Sequence, residues 1–336
     1  MSRSVVFHVT DRCGLGCRHC LRDPGSHATD LPTSVVARVL DEVSRVHGIR
    51  HAGFTGGDPL LWPGLAEALD EVVRRGFTWH LVTSGQGFQR LTDLLDEQSA
   101  RGTGLKSIDV SLDGAREGTH DSIRGEGAWR GAMAAIAACT ARSIPFTIAC
   151  TVNRLNVGEL EELGLLAAQL GAVALGFAMT QATGTPEDEQ MYLSPQELDR
   201  VFHRAERLST LLHIPVTVGE GFRRPSRFHV CGSFAGDVLH VTPRGELNLC
   251  CNHSGVPGGN EDVMADLSRE NVVDGHRRLL DLVERLQRER LDVIEASPGS
   301  DGGWARFPCN WCLARLGKPH WVEGGSAGPR ASRSRG

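Results

Sequence analysis

Along the first two-thirds of the chain, short apolar runs alternate with longer stretches in which apolar positions recur every three or four residues. The runs Val5–Val9, His51–Thr55, Thr78–Thr83, Ser107–Leu112, Phe146–Val152 and Val173–Met179 read as strands. Between the first two, Val35, Val36, Val39, Leu40, Val43 and Val46 fall on one face of a helix. Ser194-Pro195-Gln196-Glu197 has the form of a capping box and starts a sixth helix that runs to about Leu212. Six strand–helix units in succession predict parallel strands with helices outside. Periodicity alone does not separate an open doubly wound sheet from a partial barrel.

After Val218 the rhythm breaks. Residues 219–262 are rich in Gly, Arg and Cys and contain one hairpin pattern, Val238–Leu249, turning at Pro243-Arg244-Gly245. A long polar helix is predicted over Asn271–Glu295, followed by a glycine-rich loop. The segment Ser326–Gly336 is small, polar and basic, and is expected to be disordered. No self-similarity at a solenoid period is present.

Composition adds little until the cysteines are placed. The 336 residues, 40% hydrophobic and 23% charged, suffice for one barrel-sized domain plus a smaller one. A formal charge of -5 gives no electrostatic reason to expect a nucleic-acid partner. No segment has the apolar length of a signal peptide or a membrane span, so no membrane partner is expected and the cytoplasm is the expected compartment. Thiols stay reduced there. The ten cysteines therefore call for a purpose other than disulfides. Cys13, Cys17 and Cys20 form one group, and Cys231, Cys250, Cys251, Cys309 and Cys312 another. Cys139 and Cys150 lie between, in a helix and a strand pattern, and are expected in the core.

The first group reads Cys13-Gly-Leu-Gly-Cys17-Arg-His-Cys20, directly after the first strand. Three thiolates in so short a glycine-bearing loop can wrap one face of an inorganic cluster and leave one iron without a protein ligand. Structural zinc normally takes four ligands, and no fourth follows at the usual spacing, although His19 sits inside the loop. This CX3CX2C pattern, after the first strand of a βα-repeat chain, resembles that of the radical SAM superfamily.

The resemblance implies a [4Fe–4S] cluster on Cys13, Cys17 and Cys20, with S-adenosylmethionine (SAM) chelating the fourth iron. It implies reductive cleavage of SAM to a 5′-deoxyadenosyl radical, hydrogen abstraction from a substrate, and an external flavodoxin- or ferredoxin-like reductant. It selects a partial (βα)6 TIM-like barrel for residues 1–218. Gly56-Gly57-Asp58-Pro59 resembles the family's GGEP-type motif, with Asp for Glu at the SAM amino group. Thr83-Ser84-Gly85 is similar to the Thr-Asn-Gly-like turn beside the cofactor, which brings in Ser84. Ser111-Leu112-Asp113-Gly114 is similar to the SLDG of the peptide-modifying branch. It places Ser111 near the ligand, with Asp113 either beside it or capping the next turn. The segment His120–Gly125 resembles that branch's H-D-x-x-R-G, with Arg124 the implied partner of the SAM carboxylate. Gln181 or the nearby Gly184 is implied to lie by adenine.

The second group gives Cys231, then Gly245 and Cys250, then Cys309-Asn310-Trp311-Cys312. These resemble the small α+β C-terminal twitch or reduced SPASM module, here residues 219–325, which holds one auxiliary [4Fe–4S] cluster. Two clusters in all are then expected. Four thiolates ending in CX2C also suit structural zinc. Adjacent residues seldom ligate the same metal, so Cys250 is taken as the ligand and Cys251 is left over. It is either a buried spectator or a hydrogen-atom donor, the role a cysteine plays in radical SAM peptide epimerases. The substrate is read as a ribosomally made peptide, undergoing L-to-D epimerisation, or as a small molecule such as an aminocyclitol or sugar oxidised at an alcohol. A non-catalytic iron–sulfur or zinc scaffold is the third reading. The barrel pattern begins at residue 5, so no N-terminal leader-recognition domain is expected.

Overall fold

The computed structural model describes residues 3–21, 29–181, 191–222, 229–254, 256, 260–296 and 306–318. The six predicted strands are β1 (Ser4–His8), β2 (His51–Thr55), β3 (Thr78–Thr83), β4 (Leu105–Ser111), β5 (Phe146–Val152) and β6 (Ala174–Met179). Between them lie α1 (Thr33–Val46), α2 (Leu65–Arg74), α3 (Gln89–Glu97), α4 (Glu117–Arg124), α5 (Ala128–Ala141) and α6 (Leu160–Leu170). The capping box at Ser194 forms as expected and opens α7 (Pro195–Leu211). Its hydroxyl accepts from the Glu197 amide at 3.3 Å, and the Glu197 carboxylate accepts from the Ser194 amide at 2.7 Å.

A short β7 (Val216–Val218) follows, so that β1 to β7 lie side by side in chain order, all parallel. This order settles what periodicity left open. A doubly wound sheet reverses its strand order at a switch point. A chain that adds every strand on the same side, through right-handed crossovers, puts all its helices on one face and curls around the other. The fold is the expected partial barrel.

The C-terminal hairpin consists of β8 (Val238–Val241) and β9 (Glu246–Asn248), and β10 (Val263–Asp266) pairs with β9. β8 runs parallel to β1, with Val6 opposite His240, so the hairpin continues the barrel sheet at its first edge. The predicted long helix is α8 (Val272–Ala296), and α9 (Pro308–Arg315) carries the CX2C pair. Gly184 and the predicted tail 326–336 lie outside the described residues.

The two faces of the sheet differ in chemistry. Val5, Phe7, Ala52, Phe54, Trp79, Leu81, Ile108, Val110, Ile148, Leu175 and Phe177 are buried beneath the helices. Cys139 and Cys150 join this core, as expected. The alternate positions are His80, Ser107, Asp109, Ser111, Thr147, Ala149, Thr151 and Gly176, which are half-buried. They face the inside of the curl. Apart from Val6 and Val82, this inner face is polar or small-residued, a surface shaped for a ligand rather than for packing.

Replacing Ser194 by Ala removes the cap of α7. It is expected to lower stability by about 1 kcal/mol, read as a shift of the urea midpoint at unchanged slope.

Candidate cofactor site at the strand ends

The loop that leaves β1 is clamped at both sides before it reaches the cysteines. Thr10 Oγ1 donates to Asp30 Oδ1 at 2.6 Å, and Arg12 Nε donates to both Asp30 oxygens. On the other side the Gly57 amide donates to Thr10 O and the Asp58 amide to Arg12 O, both at 2.7 Å. This approach explains the glycine pair: a Cβ on Gly57 would lie 2.1 Å from Arg12 O, and Gly56 holds a φ of +150°.

Asp58 is buried, and its carboxylate is already engaged. It accepts from the Leu60 amide, from Thr83 Oγ1, and from the amide and hydroxyl of Ser84, the last at 2.6 Å. The side chain expected at the cofactor amino group thus pins the end of β2 to the end of β3. Burial raises its pKa despite these donors.

The cysteine loop then docks on α4. The Arg18 amide donates to Ile123 O at 2.9 Å, and Cys17 Sγ lies 3.9 Å from Arg124 O. Beneath it Arg124 Nε donates to Asp113 Oδ2 at 2.6 Å. Asp113 also accepts the Thr151 amide at 2.7 Å and lies 3.6 Å from His19 Nε2. Its own amide donates to His120 Nδ1, and its carbonyl accepts from Asn156 Nδ2. The Asp113 carboxylate therefore caps no turn. Full burial would raise its pKa, but Arg124 and His19 outweigh that and hold it below the usual carboxylate range. Arg124, the implied partner of a ligand carboxylate, shares its charge with Asp113.

The three thiols of the loop sit within electrostatic reach of one another. Burial pushes Cys17 up to about 11, Arg124 opposes this, and Cys20, Asp113 and Cys13 add to it. Three soft donors gathered in one loop, beside a guanidinium that favours thiolate, fit an iron–sulfur cluster with one open iron. Ser111 and Gln181 lie at the ends of β4 and β6. Gln181 Oε1 is buried without a hydrogen-bond partner. It offers an acceptor to a bound ligand.

The second cysteine group also converges. Burial raises the Cys312 thiol well above its usual value, and Cys309, Cys231 and Cys250 each add to the shift. Cys231 is pushed to about 11 by burial, with Cys250 contributing. Cys309 and Cys312 stand three apart at the start of α9, on neighbouring turns. Asn252 Nδ2 donates to Cys309 Sγ at 3.5 Å. Four thiols with amide donors aimed at sulfur fit a four-coordinate metal centre. The scaffold around them is a buried ion pair that no sequence pattern announced: Lys318 Nζ meets Asp262 Oδ1 at 3.0 Å, and Asn248 Nδ2 donates to Asp262 Oδ2 at 2.9 Å.

Two consequences are measurable. Asp113→Ala strands a buried guanidinium and is expected to cost about 3–5 kcal/mol in denaturant unfolding. His120 is held to about 4, first by burial and then by Arg124, against an ordinary 6.5. The unfolded chain therefore binds the proton first. Stability is full above pH 6.5 and falls towards pH 4 by up to about 3 kcal/mol from this group, a slope that His120→Gln flattens.

Comparison with known proteins agrees with this geometry. The radical SAM superfamily matches residues 7–167. The AdoMet-dependent heme synthase of Methanosarcina barkeri is 32% identical over 204 residues, 60% of this chain and 57% of that protein. The chain thus spans less than two-thirds of that relative. The PqqA peptide cyclase of Methylocella silvestris is 28% identical over 322 residues, 92% of this chain and 79% of that one. Among solved structures, anSMEcpe with bound AdoMet and Cp18Cys peptide superposes with a TM-score of 0.68 at 16% identity, over 92% of this chain and 89% of that one. Streptococcus suis SuiB bound to its precursor peptide SuiA gives 0.65 at 12%, over 82% and 64%. At such identities these structures speak for the fold. Sequence match, strand order and cysteine loop together establish that the chain carries a radical SAM superfamily domain.

Proposed function

We propose that this protein is a radical SAM enzyme that abstracts a hydrogen atom from a ribosomally made peptide and, with Cys251 as hydrogen donor, inverts an L residue to D. Cys13, Cys17 and Cys20 would hold the SAM-binding cluster, and Cys231, Cys250, Cys309 and Cys312 one auxiliary cluster. When bound, SAM and its cluster supply a 5′-deoxyadenosyl radical. Asp58, Ser84, Ser111, Asp113, Arg124 and Gln181 shape the cavity around them. In this reading Asp58 and Asp113 act mainly by fixing neighbouring loops, while Gln181 Oε1 is the acceptor aimed at the ligand.

The peptide substrate class is supported by the PqqA peptide cyclases, and by two structural neighbours that were solved with peptides bound. The donor role rests on where the Cys251 loop lies. Ser254, three residues on, shares a 2.9 Å hydrogen bond with His8 Nδ1 at the end of β1. That bond ties the loop after Cys250 and Cys251 to the end of β1, the strand from which the first cysteine loop departs. The Cys251 thiol lies within 4.8 Å of that of Cys250, and Cys250 in turn lies within electrostatic reach of Cys231, Cys309 and Cys312. A thiol so placed can return a hydrogen atom to a substrate radical. The thiyl radical left behind regains the thiol with one electron from the external reductant and one proton from solvent, so the hydrogen it delivers next is solvent-derived.

The test is turnover of a peptide substrate in D2O. The wild type is expected to place one solvent deuterium at the inverted Cα. Cys251→Ala is expected to keep forming 5′-deoxyadenosine while inversion falls by at least about a hundredfold. Normal inversion by that variant rules out the donor role. Oxidation of a small-molecule alcohol with no action on peptides would favour the dehydrogenase reading instead.

A further inference from the structure

His240 belongs to none of the motifs and was not singled out by its sequence. It lies on β8 opposite Val6, with its side chain buried. One donor atom each from His240, Cys250 and Cys251 lie within 4.8 Å of one another. The imidazole Nδ1 is buried with no hydrogen-bond partner, while Nε2 lies 3.3 Å from Ser233 Oγ. A ligating histidine shows this division: one nitrogen turned to the ion, the other held by a polar neighbour. The hydroxyl of Ser233 also reaches Cys250.

The adjacency of Cys250 and Cys251 argued against a shared metal. Extended backbone would send successive side chains to opposite sides. Here, however, the chain turns directly after β9, and the two thiols lie within 4.8 Å of each other. Around one tetrahedral ion, with Zn–S near 2.3 Å and Zn–N near 2.0 Å, donor atoms stand about 3.3–3.8 Å apart. The observed spacing closes to that with shifts of about 1 Å. Thiolates bridging the corners of a cubic cluster stand further apart.

We infer that His240, Cys250 and Cys251 form a separate mononuclear site for a zinc-class divalent ion, filled when the auxiliary position lacks its cluster. Binding forms two metal–thiolate bonds and one metal–imidazole bond, and releases the two thiol protons to solvent. Three protein donors leave the fourth position to water. Because Cys250 cannot serve both centres, zinc and the auxiliary cluster exclude each other. The zinc-bound state also ties up the Cys251 thiol. The inference stands on the donor geometry alone and does not depend on the nature of the substrate.

The test uses the full chain carrying Cys13/Cys17/Cys20→Ala, stripped of metal, so that the first loop contributes nothing. Zinc affinity is measured by competition with a chromophoric chelator, and cobalt is used to report thiolate charge-transfer bands. The parent is expected to bind one ion. His240→Gln and Cys251→Ser are each expected to weaken binding at least about tenfold and to alter the cobalt spectrum. Cys231→Ala and Cys309→Ala, which spare the site, should change affinity by less than about threefold. Far-UV circular dichroism identical to the parent's keeps loss of fold out of the comparison. No binding by the parent overturns the inference. So does a loss with Cys231→Ala equal to that with Cys251→Ser, which would mean an ion in the four-thiol set.

Discussion

Asp113 and Arg124 meet at 2.6 Å in a position closed to water, at the end of β4, and the surrounding loops are arranged around that contact. Two charges without solvent are tolerated only when every remaining lone pair finds a donor. The Thr151 amide, His19 and the Arg124 guanidinium supply them to Asp113, which thereby joins β4, β5, α4 and the cysteine loop. The same guanidinium lies beside Cys17, so the ion pair also sets the charge felt by a thiolate. Asp58 performs a parallel service one strand earlier, drawing β2 and β3 together through Thr83 and Ser84. The cysteine loop is thus held from below by two buried carboxylates.

The C-terminal segment is tied to this arrangement by backbone rather than by a flexible link. β8 pairs with β1, the strand whose end carries the cysteine loop, and Ser254 reaches His8 on the same strand. The first cysteine loop leaves β1, and Cys231 and Cys250 flank the hairpin that pairs with it.

Much of this was legible in the chain. The six strands and the α7 capping box emerged because each is specified by a local pattern, alternation in one case and a four-residue box in the other. The cysteine loop, Gly56–Pro59, Ser111–Gly114 and His120–Gly125 were visible as short motifs. Their partners were not. That Asp113 serves Arg124 rather than a turn depends on α4 folding back over β4, which no spacing encodes. β7, three residues long, is too short to show a period, and the β8–β1 pairing joins residues more than two hundred apart. His8, Ser254, His240 and the Asp262–Lys318 pair were missed for the same reason: each is an isolated polar residue in sequence and acquires a partner only through tertiary contact.

The central claim is that the first cysteine loop supports SAM cleavage and the second group holds one further cluster. The most direct measurement is iron content together with dithionite-driven 5′-deoxyadenosine formation after anaerobic reconstitution, comparing the wild type with Cys13/Cys17/Cys20→Ala. The account predicts about eight irons in the wild type, about four in the variant, and nucleoside from the wild type alone. Zinc in place of iron in both proteins, or no nucleoside from the wild type, would contradict it.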